Sequence, residues 1–188
     1  MSEHRQITLT VNGRARTALV EPRLTLADFL RDDADLKSVH LGCQYGVCGS
    51  CTVLVDGESV RSCLMFAVEA EGHAVETVES LSGNPRALHP IQEAFTEQHG
   101  LQCGFCTPAM VLRTKELLDQ GGAALTREEI REGISGILCR CTGYQYIVNA
   151  VEDAQGRLRA GDTNGHSVVP SGPSVPEDEP VAQDKDWR

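Results

Sequence analysis

Cys43, Cys48, Cys51 and Cys63 stand in the pattern C-x4-C-x2-C-x11-C, and Cys103, Cys106, Cys139 and Cys141 in the pattern C-x2-C-x32-C-x-C. These are all eight cysteines of the chain. Four thiolates are the ligand count of one 2Fe-2S cluster, and the opening half of the first set has the plant-type ferredoxin spacing, in which a tight loop wraps three thiolates round the irons. The second set reads as two close pairs separated by about one helical hairpin. Zinc is the competing reading there, because C-x2-C with a further cysteine pair also describes many zinc knuckles, although C-x-C is less usual for zinc. Disulfides fit poorly. The N-terminal segment Met1 to Gln6 is polar and lacks the apolar stretch of a secretory signal, so a cytoplasmic chain among reduced thiols is expected, using cysteine for metal.

The cysteines need elements to hold them. Residues 5 to 20 alternate around Asn12-Gly13, with Ile7, Leu9 and Val11 on one face, which predicts a β-hairpin with a type I′ turn. Thr25 can cap a short helix, Leu26 to Arg31, whose Leu26, Phe29 and Leu30 fall at helical spacing. Thr52 to Val55 and Ser59 to Cys63 flank Asp56-Gly57, a second hairpin that returns the chain to the loop of the first three cysteines. Gly42, Gly46 and Gly49 interleave with those cysteines, where a chain curling round a cluster needs positive φ and N–H groups aimed at sulfur.

Ser82 to Pro90 reads as a linker, after which the apolar period becomes helical. Helices are predicted over Ile91 to His99, over Ala109 to Gln120 behind a Thr107-Pro108 start, from the Thr126/Glu129 capping box to near Gly136, and over Tyr144 to Leu158. Cys106 then lies just before a helix N-terminus, where the macrodipole and free N–H groups favour thiolate, and Cys139 and Cys141 lie on the turn between the last two helices. The fold class is α+β. A sheet-and-helix domain spans 1–81, a four-helix bundle spans 82–160, and an acidic, proline-bearing tail with little to bury spans 161–188.

A net charge of −10 weighs against nucleic acid as a partner, because phosphate binding relies on clustered Lys and Arg. No apolar run approaches the roughly 20 residues of a membrane span. The chain carries no G-x-G-x-x-G, no P-loop and no nucleophile with its base, so no substrate site and no catalytic residue is expected on it. His40, three residues before Cys43, is not required as a Rieske-type ligand, since eight cysteines already fill two sites.

The runs Gly42-Cys43-Gln44-Tyr45-Gly46-Val47-Cys48-Gly49-Ser50-Cys51-Thr52-Val53, Gln102-Cys103-Gly104-Phe105-Cys106-Thr107-Pro108 and Cys139-Arg140-Cys141-Thr142-Gly143-Tyr144 resemble the iron-sulfur subunit of the molybdenum hydroxylases. That family includes xanthine dehydrogenase, aldehyde oxidoreductase and aerobic carbon monoxide dehydrogenase, and the resemblance is colinear over about residues 5 to 158. It implies a β-grasp ferredoxin-like domain followed by a helical domain, each with one 2Fe-2S cluster. It also implies a large partner subunit holding molybdenum on a pterin cytosine dinucleotide and a medium subunit holding FAD, in a heterotrimer or a dimer of heterotrimers. Electrons would pass from molybdenum to the cluster of Cys103, Cys106, Cys139 and Cys141, then to that of Cys43, Cys48, Cys51 and Cys63, then to flavin. Gln102 matches a glutamine that hydrogen-bonds the pterin in relatives, a task that suits an amide able to donate and accept at once. Ala109 departs from the family, which commonly has glycine there. Two rival readings are a free-standing ferredoxin-like carrier and a zinc or iron-sulfur interaction module without redox function.

Overall fold

The computed structural model describes residues 4–82, 88–120 and 124–161. Strands β1 (Arg5–Val11) and β2 (Arg14–Val20) form the expected hairpin, with Asn12 and Gly13 both at positive φ (50° and 75°) as a type I′ turn requires. The β1 side chains Ile7, Leu9 and Val11 are buried, and β2 remains an exposed edge apart from Val20. Thr25 caps α1 (Leu26–Asp28) by accepting from the Asp28 N–H at 3.1 Å. The helix then departs from expectation, widening into a π turn over Phe29–Asp33 in which the Ala34 N–H reaches the Phe29 carbonyl at 3.0 Å. The wide turn lets the adjacent residues Phe29 and Leu30 both enter the core.

Strands β3 (Thr52–Val55) and β4 (Glu58–Arg61) pair as the second hairpin, and β5 (Ala74–Glu76) completes a sheet of order β2-β1-β5-β3-β4. Sequence periodicity gave no sign of β5. It is three residues long, runs parallel to β1 and antiparallel to β3, and so joins the two hairpins. Asn12 locks it from the first turn, its side-chain amide donating to Thr77 Oγ1 at 2.9 Å and its amide oxygen accepting from the Thr77 N–H at 2.8 Å. Strand β4 ends two residues earlier than the sequence suggests. The Leu64 N–H turns back to the Arg61 carbonyl at 2.8 Å, which takes Cys63 off the ladder.

The second half comprises α2 (Pro90–Glu97), α3 (Thr107–Gln120), α4 (Arg127–Ile134) and α5 (Gln145–Arg159), with α2 packed on α5 and α3, and α4 on α3 and α5. The Thr126/Glu129 capping box is present as expected. Helix α3 starts one residue sooner than predicted, with Thr107 inside it instead of capping it, because the Cys106 carbonyl accepts the Met110 N–H at 3.0 Å. The predicted linker and tail fall largely outside the described residues.

Strand β3 joins the two halves. Its alternate side chains diverge: Val53 and Val55 belong to the core of the sheet and α1, whereas Leu54 belongs to the core of the four helices. Helix α3 lies across the sheet on that second side, and its buried Glu116 accepts from the Ser59 N–H at 3.0 Å and from the Ser59 hydroxyl, and pairs with Arg113 at 2.5 Å. Burial opposes the charge of Glu116, but Ser59 and Arg113 outweigh it and hold the carboxyl below its ordinary range. Leu54→Ala should therefore destabilise the chain by about 2–5 kcal/mol through a cavity in the helical core, read as a lowered midpoint in chemical denaturation. A loss below about 1 kcal/mol would mean that the strand is not the shared wall described.

Candidate metal centres

The first set of cysteines lies on the irregular segment between the π turn and β3, with Cys51 next to that strand and Cys63 just past β4. Ser62 fastens the two ends, its hydroxyl donating to the Cys51 carbonyl at 2.6 Å. Backbone N–H groups do point at sulfur as anticipated: Cys43 Sγ accepts from Tyr45 at 3.3 Å and from Cys48 at 3.4 Å. Those bonds draw the Cys43 thiol down to about 6, whereas burial and the neighbouring Cys51 push Cys63 up to about 11. Gly49 has the positive φ expected of it, at 74°, but Gly42 does not; its missing Cβ instead leaves room for Cys48 Sγ and the Phe105 ring, which would lie 3.2 and 3.3 Å from that atom.

The second set gathers where the N-terminus of α3 meets the turn between α4 and α5. Tyr144, itself at φ 67°, braces that turn: its hydroxyl accepts from the Cys139 N–H at 2.8 Å and donates to the Ile137 carbonyl at 3.2 Å. Burial opposes ionisation of Cys139, but the Thr142 hydroxyl, 3.2 Å from its sulfur, and nearby N–H groups hold it below the usual thiol range. The Phe105 N–H and Cys141 lower Cys103 likewise. Cys106 does not show the lowered thiol expected at a helix N-terminus. Burial, followed by the adjacent Cys139 and Cys103, pushes its thiol up to about 12.

All eight thiols are free, and within each set they face one another in pairs: Cys43 with Cys48 and Cys51 with Cys63, then Cys103 with Cys141 and Cys106 with Cys139. Among the described residues no three His, Cys, Asp or Glu side chains gather to hold a single ion. Four thiols that meet two by two can supply two thiolates to each of two irons. The residues thus fit 2Fe-2S clusters. Gln102 is exposed beside Cys103, on the loop between α2 and α3.

The two sets meet across a close seam. The Leu138 N–H, adjacent to Cys139, donates to the carbonyl of Cys48 at 2.8 Å. A Cβ on Gly49 would lie 2.4 Å from the Gly136 carbonyl oxygen and 3.0 Å from Ile137 Cα, so the two loops touch backbone to backbone. His40, assigned no role from sequence, stacks on Phe105 with ring centres 4.8 Å apart, and its Nδ1 lies 2.7 Å from the Phe105 carbonyl oxygen. Exposed apolar side chains lie close in the chain to both sets. Tyr45, Val47, Leu64 and Phe66 accompany the first, and Leu101, Phe105 and Leu138 the second, the last two also taking part in the seam.

Residues 9–82 match the family described as a 2Fe-2S iron-sulfur cluster binding domain, and residues 77–152 match a [2Fe-2S] binding domain. The chain is 51% identical over 164 residues to the nicotine 6-hydroxylase small subunit of Paenarthrobacter nicotinovorans, covering 87% of this chain and 96% of that one. It is 53% identical over 154 residues to caffeine dehydrogenase subunit gamma of Pseudomonas sp. (strain CBB1), covering 81% and 91%. Its fold superimposes on a chain of quinoline 2-oxidoreductase from Pseudomonas putida 86 with a TM-score of 0.80, at 45% identity over 85% of this chain and 99% of that one.

Gly49→Ala should force both the left-handed backbone and the contact with Gly136, costing more than about 2 kcal/mol and lowering the iron bound per chain. Wild-type iron content and denaturation midpoint in that variant would show that the seam yields to a methyl group.

Proposed function

Because the chain belongs to the iron-sulfur subunits of the molybdenum hydroxylases, we propose that Cys43, Cys48, Cys51 and Cys63 hold one 2Fe-2S cluster and Cys103, Cys106, Cys139 and Cys141 a second. The chain is an electron-transfer subunit of such a hydroxylase or dehydrogenase, working within a multi-subunit oxidoreductase. When bound, each cluster supplies a one-electron site; the residues of this chain decide where that site lies and what it can reach.

The observation that carries the reading is the seam. One hydrogen bond of 2.8 Å, from Leu138 N–H to the Cys48 carbonyl, and one peptide link from Leu138 to Cys139 connect a ligand of each set. The first half is read as a β-grasp domain over 1–81 and the second as a four-helix bundle over 82–160, the tail 161–188 standing apart. Exposed apolar side chains close in the chain to both sets favour dry contacts with two partners, a large subunit carrying molybdopterin cytosine dinucleotide at the second set and a medium subunit carrying FAD at the first. A free-standing carrier would need only one exposed site. Exposed Gln102 next to Cys103 is assigned to the pterin edge. A heterotrimer, or a dimer of heterotrimers, in the cytoplasm fits these assignments. No helix among the described residues is long and apolar enough to cross a membrane.

Electron paramagnetic resonance of the dithionite-reduced complex should give two distinct signals of about one spin per chain each. Cys48→Ser should abolish one of them and stop electron delivery to flavin; two undiminished signals in that variant would refute the ligand assignment. Nitrogen heterocycles, the class named for the relatives above, are the first substrates to try as reductants in place of dithionite. Gln102→Ala should slow substrate-driven reduction of the second-set cluster several-fold while leaving its dithionite-reduced signal intact, and an unchanged rate would remove Gln102 from the pterin.

A further inference from the structure

Arg61, the last residue of β4, spans from its cross-strand neighbour Thr52 to the seam. Its Nη1 donates to Thr52 Oγ1 at 2.6 Å, on the residue that follows Cys51. Its Nη2 donates to the Gly136 carbonyl at 2.7 Å, three residues before Cys139. A Cβ at Gly136 would lie 2.7 Å from Nη2, so the glycine leaves the guanidinium room to lie against that loop. Thr52 Oγ1 passes the contact on by donating to the Gly49 carbonyl at 2.6 Å, so one guanidinium fork ties both cysteine-bearing loops together.

The charge on that fork is uncancelled. Arg5, Arg23, Arg113, Arg127, Arg131 and Arg157 each pair with a carboxylate. Among the described residues Arg61 pairs with none, and both of its acceptors are neutral oxygens. Arg14, Arg16, Arg31, Arg140 and Arg159 also lack a carboxylate among the described residues, and what distinguishes Arg61 is that its two prongs join the loops of both cysteine sets. Bonded to the residue after Cys51 and to the residue three before Cys139, it stands where the anionic clusters of both sets would be its counter-charge.

We propose that Arg61 is a positioning residue that raises the reduction potential of both clusters and weakens the repulsion between them when both are reduced. The inference rests on the two-cluster reading above. A 2Fe-2S core with four thiolates is a net anion, and reduction adds one electron and one further negative charge without breaking a bond. A fixed cation nearby stabilises the more negative state more than the less negative one, and does so at both sets because its two prongs join their loops. Its half-buried position limits screening by salt, and the planar fork, held at both prongs, keeps the charge in place.

The test is a mediated dithionite titration of the whole complex, followed by electron paramagnetic resonance, for wild type, Arg61→Gln, Arg61→Met and Arg61→Lys. At fixed potential the two neutral variants should show about a tenfold lower ratio of reduced to oxidised form at each cluster, equivalent to about 59 mV for a one-electron couple. Arg61→Lys should stay close to wild type. The methionine variant keeps the length and packing of the stem, and serves if glutamine disturbs the loading of either cluster. Two intact signals with unchanged potentials in a neutral variant would overturn the proposal, leaving Arg61 a staple that affects only the thermal midpoint. A lysine variant whose potentials fall as far as those of the neutral variants would also overturn it, since geometry rather than charge would then set the potential. Fewer than two signals in the wild type would instead defeat the two-cluster reading itself.

Discussion

The burial of β3 on both faces is the constraint on which the rest of the molecule depends. A strand with Val53 and Val55 in one core and Leu54 in the other cannot shift by one residue without exchanging those side chains between unlike surroundings. Cys51 immediately precedes this strand, and Cys106 immediately precedes the helix that lies across it. The distance between the two cysteine sets is therefore set by close packing in a solid interior rather than by the length of the segment joining the halves. The Glu116–Ser59 contact reinforces the same arrangement with groups that would be costly to bury unpaired.

Packing also explains why thiols of identical chemistry differ in the protein. Cys43 and Cys103 sit where backbone N–H groups reach sulfur and solvent is near, and both thiols are held below their ordinary range. Cys63 and Cys106 are turned inward against their partners, where an isolated negative charge is disfavoured. Since iron binds thiolate, loading either set must release protons from the inward members, and the interior is adapted to the occupied centre.

Much of the architecture was legible in the residues themselves. Asn-Gly and Asp-Gly turns have few alternatives, and the Thr126/Glu129 box marks a helix start by a local hydrogen-bond exchange that needs no tertiary partner. The division of the cysteines into two sets could be read from their spacing, and the fold brings members of each set together. What escaped was non-local. Strand β5 is too short to show a period and exists because β1 and β3 both lack a neighbour there. The π turn answers to the core rather than to propensity, and Gly42 reads as a turn residue until Phe105 arrives from the other half. His40 and Arg61 find their partners 65 and 75 residues away, beyond the reach of any spacing rule.

The doubly buried strand has a bearing on how such chains can be recombined. A chimera cut in the linker near residue 82 would pair a foreign set of helices with a Leu54 shaped for the original ones, together with a foreign partner for Ser59. The exchangeable unit is thus not the segment that carries four cysteines. It is that segment together with the outward side chains of β3 and β4, so grafting between relatives should follow the contour of the interior rather than the boundary in the chain.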